Sequence, residues 1–182
     1  MMEDQTVTKN FQLNVKDSQG NSLPNPNLVV TSQDGLTEIS NLTNGLFAFA
    51  ALENSEDQIQ LCVSYHTEAI DNVSTVDVVR AQRIILGLVD PCLANVIAAD
   101  VDESNSVSSV DLVQMINVII GRAENFSNNP SWVFMIDDEL KVCETYNLST
   151  LPSSIEITGF KKGNLECLDP PLNLQTEINW KH

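Results

Sequence analysis

The sequence predicts an α+β fold: a small antiparallel β-sandwich joined to a pair of short helices that follow cation-type loops, with C-terminal strands packing back on the body. Three observations predict it. Apolar residues alternate with polar ones from Phe11 to Tyr65, the period changes to roughly 3.6 at Val73, and one sixteen-residue segment occurs twice, 34 residues apart. The 182 residues suffice for one ordinary domain or two small ones, and an apolar content of 42% can supply a core. The expected boundaries are 8–65 for the sandwich, 66–124 for the duplicated loop-and-helix domain, and 125–182 for C-terminal strands and an extended tail.

In chain order, Phe11, Leu13 and Val15 share one face of a first strand, and Asp17-Ser18-Gln19-Gly20-Asn21 turns the chain. Leu28-Val29-Val30-Thr31 reads as a second strand between the turn signals Pro24-Asn25-Pro26 and Asp34-Gly35. Leu46, Phe47 and Phe49 follow Asn44-Gly45, and Ile59, Leu61, Val63 and Tyr65 form a longer alternating run. Short strands at this spacing make a small sandwich. A helix is predicted from Thr75 to Leu88, with Val78, Ala81, Ile85 and Leu88 on one face and stop signals at Gly87 and Asp90-Pro91. A second runs from Ser109 to Ile120, aligning Leu112, Met115, Ile116 and Ile119 ahead of Gly121. Each stripe needs a partner, so the two helices are expected to bury them against each other. Beyond Asn125 to Pro130, Trp132 to Ile136 and then Ile155, Ile157 and Phe160 are strand-like but too short to form their own core. They are expected to extend the sandwich or cover the helices, with the tail from Asp169-Pro170-Pro171 fixed to the body through Trp180.

Charge and residue usage exclude several functions. Acidic residues outnumber basic ones 25 to 9, for a net charge of −16, and no Lys or Arg lies between Lys16 and Arg80. Nucleic acid is therefore not an expected partner, because phosphate binding needs cations. No apolar run is long enough to span a membrane. Only His66 and His182 are present, which removes a His-rich zinc site. Catalysis is not expected either: Asp137, Asp138 and Glu139 follow an apolar strand, where a solvated turn is the simpler reading than a hydrolytic carboxylate pair. The dispersed Cys62, Cys92, Cys143 and Cys167 fit two disulfides and an oxidising compartment, with three connectivities open. The start MMEDQTVTKN has no export signal, so the chain is expected to be a piece of a longer exported protein.

The repeat carries the chemistry. Val73 to Leu88, VSTVDVVRAQRIILGL, aligns without gaps to Val107 to Arg122, VSSVDLVQMINVIIGR, with seven of sixteen positions identical. Ahead of the second copy, the twelve residues Asp100 to Asp111 place oxygen side chains at loop positions 1, 3, 5, 9 and 12, namely Asp100, Asp102, Ser104, Ser108 and Asp111. Ser106, at position 7, can offer its backbone carbonyl. This is a register for Ca²⁺, a large hard cation that takes six to eight oxygens. Asn105 stands at position 6, where the turn favours positive φ. A polar loop whose serines merely cap the helix accounts for Asp111 but not for Asp100 and Asp102. The first copy is degenerate: position 1 is His66 and position 5 is Ile70, which leaves Glu68, Asn72, Ser74 and Asp77 as a second metal site of lost or weak occupancy.

These residues resemble a type I dockerin, the duplicated calcium-loop-and-helix module, from about His66 to Gly121. More broadly, a carboxypeptidase-regulatory-like sandwich (VKDSQGNSLPN…NGLFAFAAL) followed by NVSTVDVVRAQRIILGL, IAADVDESNSVSSVDLV, NNPSWVF and ITGFKKGN resembles a C-terminal region of large secreted or surface proteins of Bacteroidetes. The resemblance implies an immunoglobulin-like or prealbumin-like sandwich and an extracellular, calcium-stabilised, non-catalytic segment of a bigger protein. It places metal ligands on Asp100, Asp102, Ser104, Ser106, Ser108 and Asp111, and partner contacts on Thr75, Val76, Ser109 and Val110, where the usual Ser-Thr pair is absent. The expected work is assembly or attachment to a protein partner. Two alternatives stand beside it: a filament subunit that polymerises by strand addition, and an accessory domain of a secreted carbohydrate-active hydrolase.

Overall fold

The computed structural model of the chain describes residues 6–32, 39–43, 46–52, 58–128 and 130–165. The turns expected at Asp34-Gly35 and Asn44-Gly45, and the tail with Cys167 and Trp180, lie outside the described residues. Two compact units result: Met1–Lys16, Asn21–Ser64 and Phe134–Thr158 form one, and Asp17–Gly20, Tyr65–Val133 and Gly159–His182 the other. The segment after residue 125 is divided between them.

Among the described residues the architecture is α+β, with three α-helices and two sheets rich in antiparallel pairs. The strands are β1 (Thr6–Asp17), β2 (Asn27–Ser32), β3 (Ile39–Thr43), β4 (Leu46–Leu52), β5 (Gln58–Ser64), β6 (Trp132–Ile136), β7 (Glu139–Leu140), β8 (Cys143–Asn147) and β9 (Ser154–Lys161). One sheet runs β3-β4-β1-β9-β6-β7 and the other β2-β5-β8. Period-two patterning becomes burial: Phe11, Leu13 and Val15 of β1 and Ile59, Leu61 and Val63 of β5 are buried. Asp137 and Asp138, both at positive φ, form the two-residue turn between β6 and β7, which requires that backbone twist. In β8, Cys143 lies opposite Cys62 of β5 and the two form a disulfide.

The second unit holds α1 (Thr75–Ile85), α2 (Leu93–Ala99) and α3 (Ser109–Ile119). The repeat is reproduced in the caps at both helix ends. Ser74 and Ser108 are N-caps in capping boxes closed by Asp77 and Asp111. At the C-termini, Gly87 and Gly121 take φ of +63° and +70°, so that Leu88 and Arg122 donate back to the carbonyls of Arg83 and Asn117. Hence α1 stops at Ile85 and not at Leu88. The two helices pack on each other through Ala81 and Met115, both fully buried, with Val78, Ile84, Leu112, Val118 and Ile119 around them. The expected stripes are corrected at three places: Ile85, Leu88 and Ile116 are exposed, because the buried arc turns toward Ile84 and Val118 instead. The helix α2 was not expected; its sequence LANVIAA is apolar nearly all round and too short to display a period. No helix among the described residues is long and apolar enough to cross a membrane.

Candidate metal centre

The loop Asp100–Asp111 is hung between two helices. Asp100 is the residue that ends α2, and Asp111 sits in the first turn of α3. Both are buried, Asp111 completely, while Asp102 is half-buried. One carboxylate oxygen from each of the three lies within 4.8 Å of the others, the one such acidic or thiol-imidazole cluster among the described residues. Left-handed backbone at Glu103 and Asn105, with φ of +57° and +63°, curls the loop around these oxygens. Asn105 tolerates that conformation at little cost.

Amide and hydroxyl donors hold the carboxylates in place. The Ser104 amide donates to Asp100 Oδ1 at 2.9 Å and to Asp102 Oδ1 at 3.0 Å, and the Asn105 amide donates to Asp100 Oδ2 at 2.8 Å. The Ser104 hydroxyl lies 3.4 Å from Asp100 Oδ1 and reaches the Ser106 carbonyl at 3.2 Å, and both serines are exposed at the mouth of the loop. Asp111 is more heavily engaged. Its Oδ1 accepts from the amides of Val101 and Asp102, at 3.0 and 3.3 Å, and its Oδ2 from the amide and hydroxyl of Ser108, at 2.8 and 3.2 Å. These four donors match the acceptor capacity of a carboxylate, so a cation at Asp111 must displace or share at least one of them. Ser108 is committed to its cap, accepting from Val110 at 3.1 Å.

Burial pushes the Asp100 carboxyl up to about 6 from its ordinary 3.8, against the opposing pull of the Ser104 amide; contact with Asp102 and the charge of Asp111 push the same way as burial. The Asp102 carboxyl is held below its ordinary value, chiefly by the Ser104 hydroxyl, with the Lys162 ammonium contributing. Crowded carboxylates and an all-oxygen donor set, with the Ser104 hydroxyl beside Asp100, could hold a hard divalent cation of the Ca²⁺ type.

The first loop differs although its helix is a copy. Glu68 and Asn72 are exposed, Glu68 and Asp77 join no three-residue acidic cluster among the described residues, and Ser74 caps α1. Asp77 Oδ2 accepts from the amide and hydroxyl of Ser74, at 2.9 and 2.7 Å. Its Oδ1, however, takes the Leu165 amide at 3.1 Å and faces the Arg80 guanidinium at 3.6 Å. Arg80 replaces the repeat-equivalent Gln114, and so brings a positive charge of the chain itself to this carboxylate. Cluster geometry is thus confined to the second loop among the described residues.

Two residues outside the motif brace the two loops, one each. At the end of β9, Lys161 and Lys162 are both buried and point to different loops. The Lys161 ammonium donates to the Ala69 carbonyl of the first loop at 3.1 Å, and Lys162 donates to the Val101 carbonyl of the second at 3.4 Å. Lys162 also contacts the Glu103 carboxylate and the Asn128 carbonyl, while the Asn128 side chain donates to the Asp102 carbonyl. Gly163 allows this approach: its amide donates to the Ala98 carbonyl at 2.7 Å, and an added Cβ would lie 3.0 Å from Val73. The one sequence signal for these residues is a pair of adjacent lysines in a chain with nine basic residues. The partner positions expected at Thr75, Val76, Ser109 and Val110 are all exposed. With Val76 and Val110, the repeat-equivalent pairs Val79/Val113 and Leu86/Ile120 put two matching apolar rows on the surface, each side chain 53–60% exposed. No protein-family model, curated protein or solved structure matches this chain.

Proposed function

We propose that this chain is a non-catalytic, calcium-binding interaction module of a larger secreted or cell-surface protein, in which a β-sandwich carries a dockerin-like pair of helices. The convergence of Asp100, Asp102 and Asp111 on one centre carries the reading. Folding collects three like charges in a partly dry loop, an arrangement whose repulsion a bound divalent cation removes. Asp100, Asp102, Asp111, the Ser104 hydroxyl and the Ser106 carbonyl hold the ion, and the ion supplies charge compensation, not chemistry. Because the same loop fixes the start of α3, loading stiffens the helix pair and with it the rows Val76, Val79, Leu86 and Val110, Val113, Ile120. Those rows are the attachment surface for a protein partner; apolar side chains repeated at equivalent positions on a chain of this charge serve contact better than solubility. The Cys62–Cys143 disulfide supports an oxidising, extracellular setting.

Thermal melts with calcium and with EGTA test this. A cation that binds only the folded state adds about 2.7 kcal/mol at a hundredfold excess over Kd. Chelation is expected to lower the melting temperature, and Asp100→Ala to reproduce most of that loss. A melting curve that EGTA leaves in place removes the metal from the reading.

A further inference from the structure

The two apolar rows differ in what stands between their side chains. On a helix of about 3.6 residues per turn, Val76, Val79, Arg80 and Arg83 of α1 and its C-cap Leu86 fall within an arc of about 120°, so two guanidiniums share the apolar face. Both arginines are exposed, Arg80 over 45% of its side chain. The repeat-equivalent residues of α3 are Gln114 and Asn117, which carry no charge. The two carboxylates within these helices, Asp77 and Asp111, are buried. The helix pair thus exposes cations and no anion, in a chain of net charge −16 whose third and last arginine, Arg122, stands just past α3. Arg80 is partly engaged, since its NH1 donates to the Leu165 carbonyl at 2.8 Å and lies 3.6 Å from Asp77. Arg83 forms no ion pair among the described residues. A cation in the last turn of a helix favours the dipole, which accounts for Arg83 alone. It does not account for a helix surface without acid in a chain that has 25 acidic residues.

We propose that the α1 face formed by Val76, Val79, Arg80, Arg83 and Leu86 docks an acidic protein surface, in which carboxylates flank an apolar patch, while α3 supplies apolar contact alone. This rests on the reading of the rows as an attachment surface and adds the sign of the partner's charge. The guanidinium fork pairs with carboxylates in two parallel hydrogen bonds, and arginine beside apolar side chains is the composition of an interface core. A second copy of this chain is the poorer occupant: a two-fold dimer through this face sets arginine against arginine, and each copy brings a charge of −16.

Titration calorimetry in calcium with two helical peptides of about 20 residues tests the assignment; they share one leucine stripe and differ only in carrying glutamate or lysine at every flanking position. The net charge of the chain favours the lysine peptide, so preference for glutamate arises only at a local basic face; at about 0.15 M salt, screening over about 8 Å suppresses the long-range part. The glutamate peptide is expected to bind at least about tenfold more tightly than the lysine peptide, and Arg83→Glu to reduce that preference at least about fivefold. Arg83→Gln gives the same reading by a smaller factor if Arg83→Glu does not fold. Preference for the lysine peptide, or a glutamate preference that neither variant changes, overturns the proposal. Equal binding of both peptides that Val79→Ser weakens also overturns it, but leaves the attachment surface standing. Binding of neither peptide at about 1 mM removes both readings. A dimer in sedimentation velocity that Arg83→Glu dissolves overturns the proposal in favour of a second copy.

Discussion

The sharpest expectation concerns the sign of a substitution at Asp100. With its carboxyl raised from 3.8 to about 6, Asp100 binds its proton more tightly in the folded than in the unfolded chain. Between these two values the folded state holds more protons, so stability falls as pH rises through the window and stays low above it. At 1.36 kcal/mol per pKa unit, the cost above pH 6 is about 3 kcal/mol. Asp102, Glu144 and Glu156 have depressed carboxyls, and their contributions change at or below their ordinary 3.8 and 4.5, under most of that window. Asp100→Asn removes the charge and keeps one acceptor, but sets an amide group against the Asn105 N–H that now donates at 2.8 Å, at a cost of about 1 kcal/mol. In EGTA at pH 7 the variant should therefore be the more stable protein by about 2 kcal/mol, or roughly 4–8 °C for a chain of this length. With calcium the order reverses, because the variant has lost a ligand. Scanning calorimetry at pH 4.5 and pH 7, with and without calcium, reads all four states. An Asp100→Asn protein that melts below the native one in EGTA at pH 7 shows that the carboxylate stabilises the loop unaided, and the argument from repulsion fails.

Three further outcomes follow from the same geometry. Burial lowers the Lys161 ammonium from 10.5 to about 8, so the folded state binds fewer protons between those values and stability should rise by about 3 kcal/mol as pH climbs through them; Tyr146, whose hydroxyl is raised, opposes this only above pH 10. Urea melts at pH 7.5 and pH 9.5 should show about 2 kcal/mol of this rise in the native protein and none in Lys161→Met. Truncating the fully buried Met115 to Ala should cost about 2–5 kcal/mol in urea unfolding, whereas Val113→Ala, at an exposed position of the same helix, should cost less than about 1 kcal/mol. Peptide mapping without reductant should recover Cys62 joined to Cys143, and of the three connectivities only the one that also joins Cys92 to Cys167 is compatible with two bonds; reduction across this 81-residue separation should cost about 2–5 kcal/mol.

What the sequence discloses here is local, and the reason can be read from two aspartates. Asp77 and Asp111 share the string V-S-x-V-D, and the string alone dictates what both do to their own helix: each closes a capping box with the serine three residues before it. Burial of Ala81 and Met115 follows from the same period, as does the αL glycine after each helix. The second oxygen of each aspartate is governed by something else. In the second loop the amides of Val101 and Asp102 reach Asp111, which faces into the carboxylate cluster; in the first, Leu165 reaches Asp77 from 88 residues away and Arg80 supplies its charge. A substitution of Gln by Arg at one repeat position, together with a chain segment that returns from β9, thus separates a cation-ready loop from one that already contains its cation. The lysines that brace the loops were illegible for the same cause. Their acceptors lie 92 residues away for Lys161 and 59–61 for the inner contacts of Lys162, distances at which period and spacing carry no signal. Identical motifs can therefore guarantee identical helices while leaving the charge balance of each loop, and hence its use, to residues that only the fold brings near.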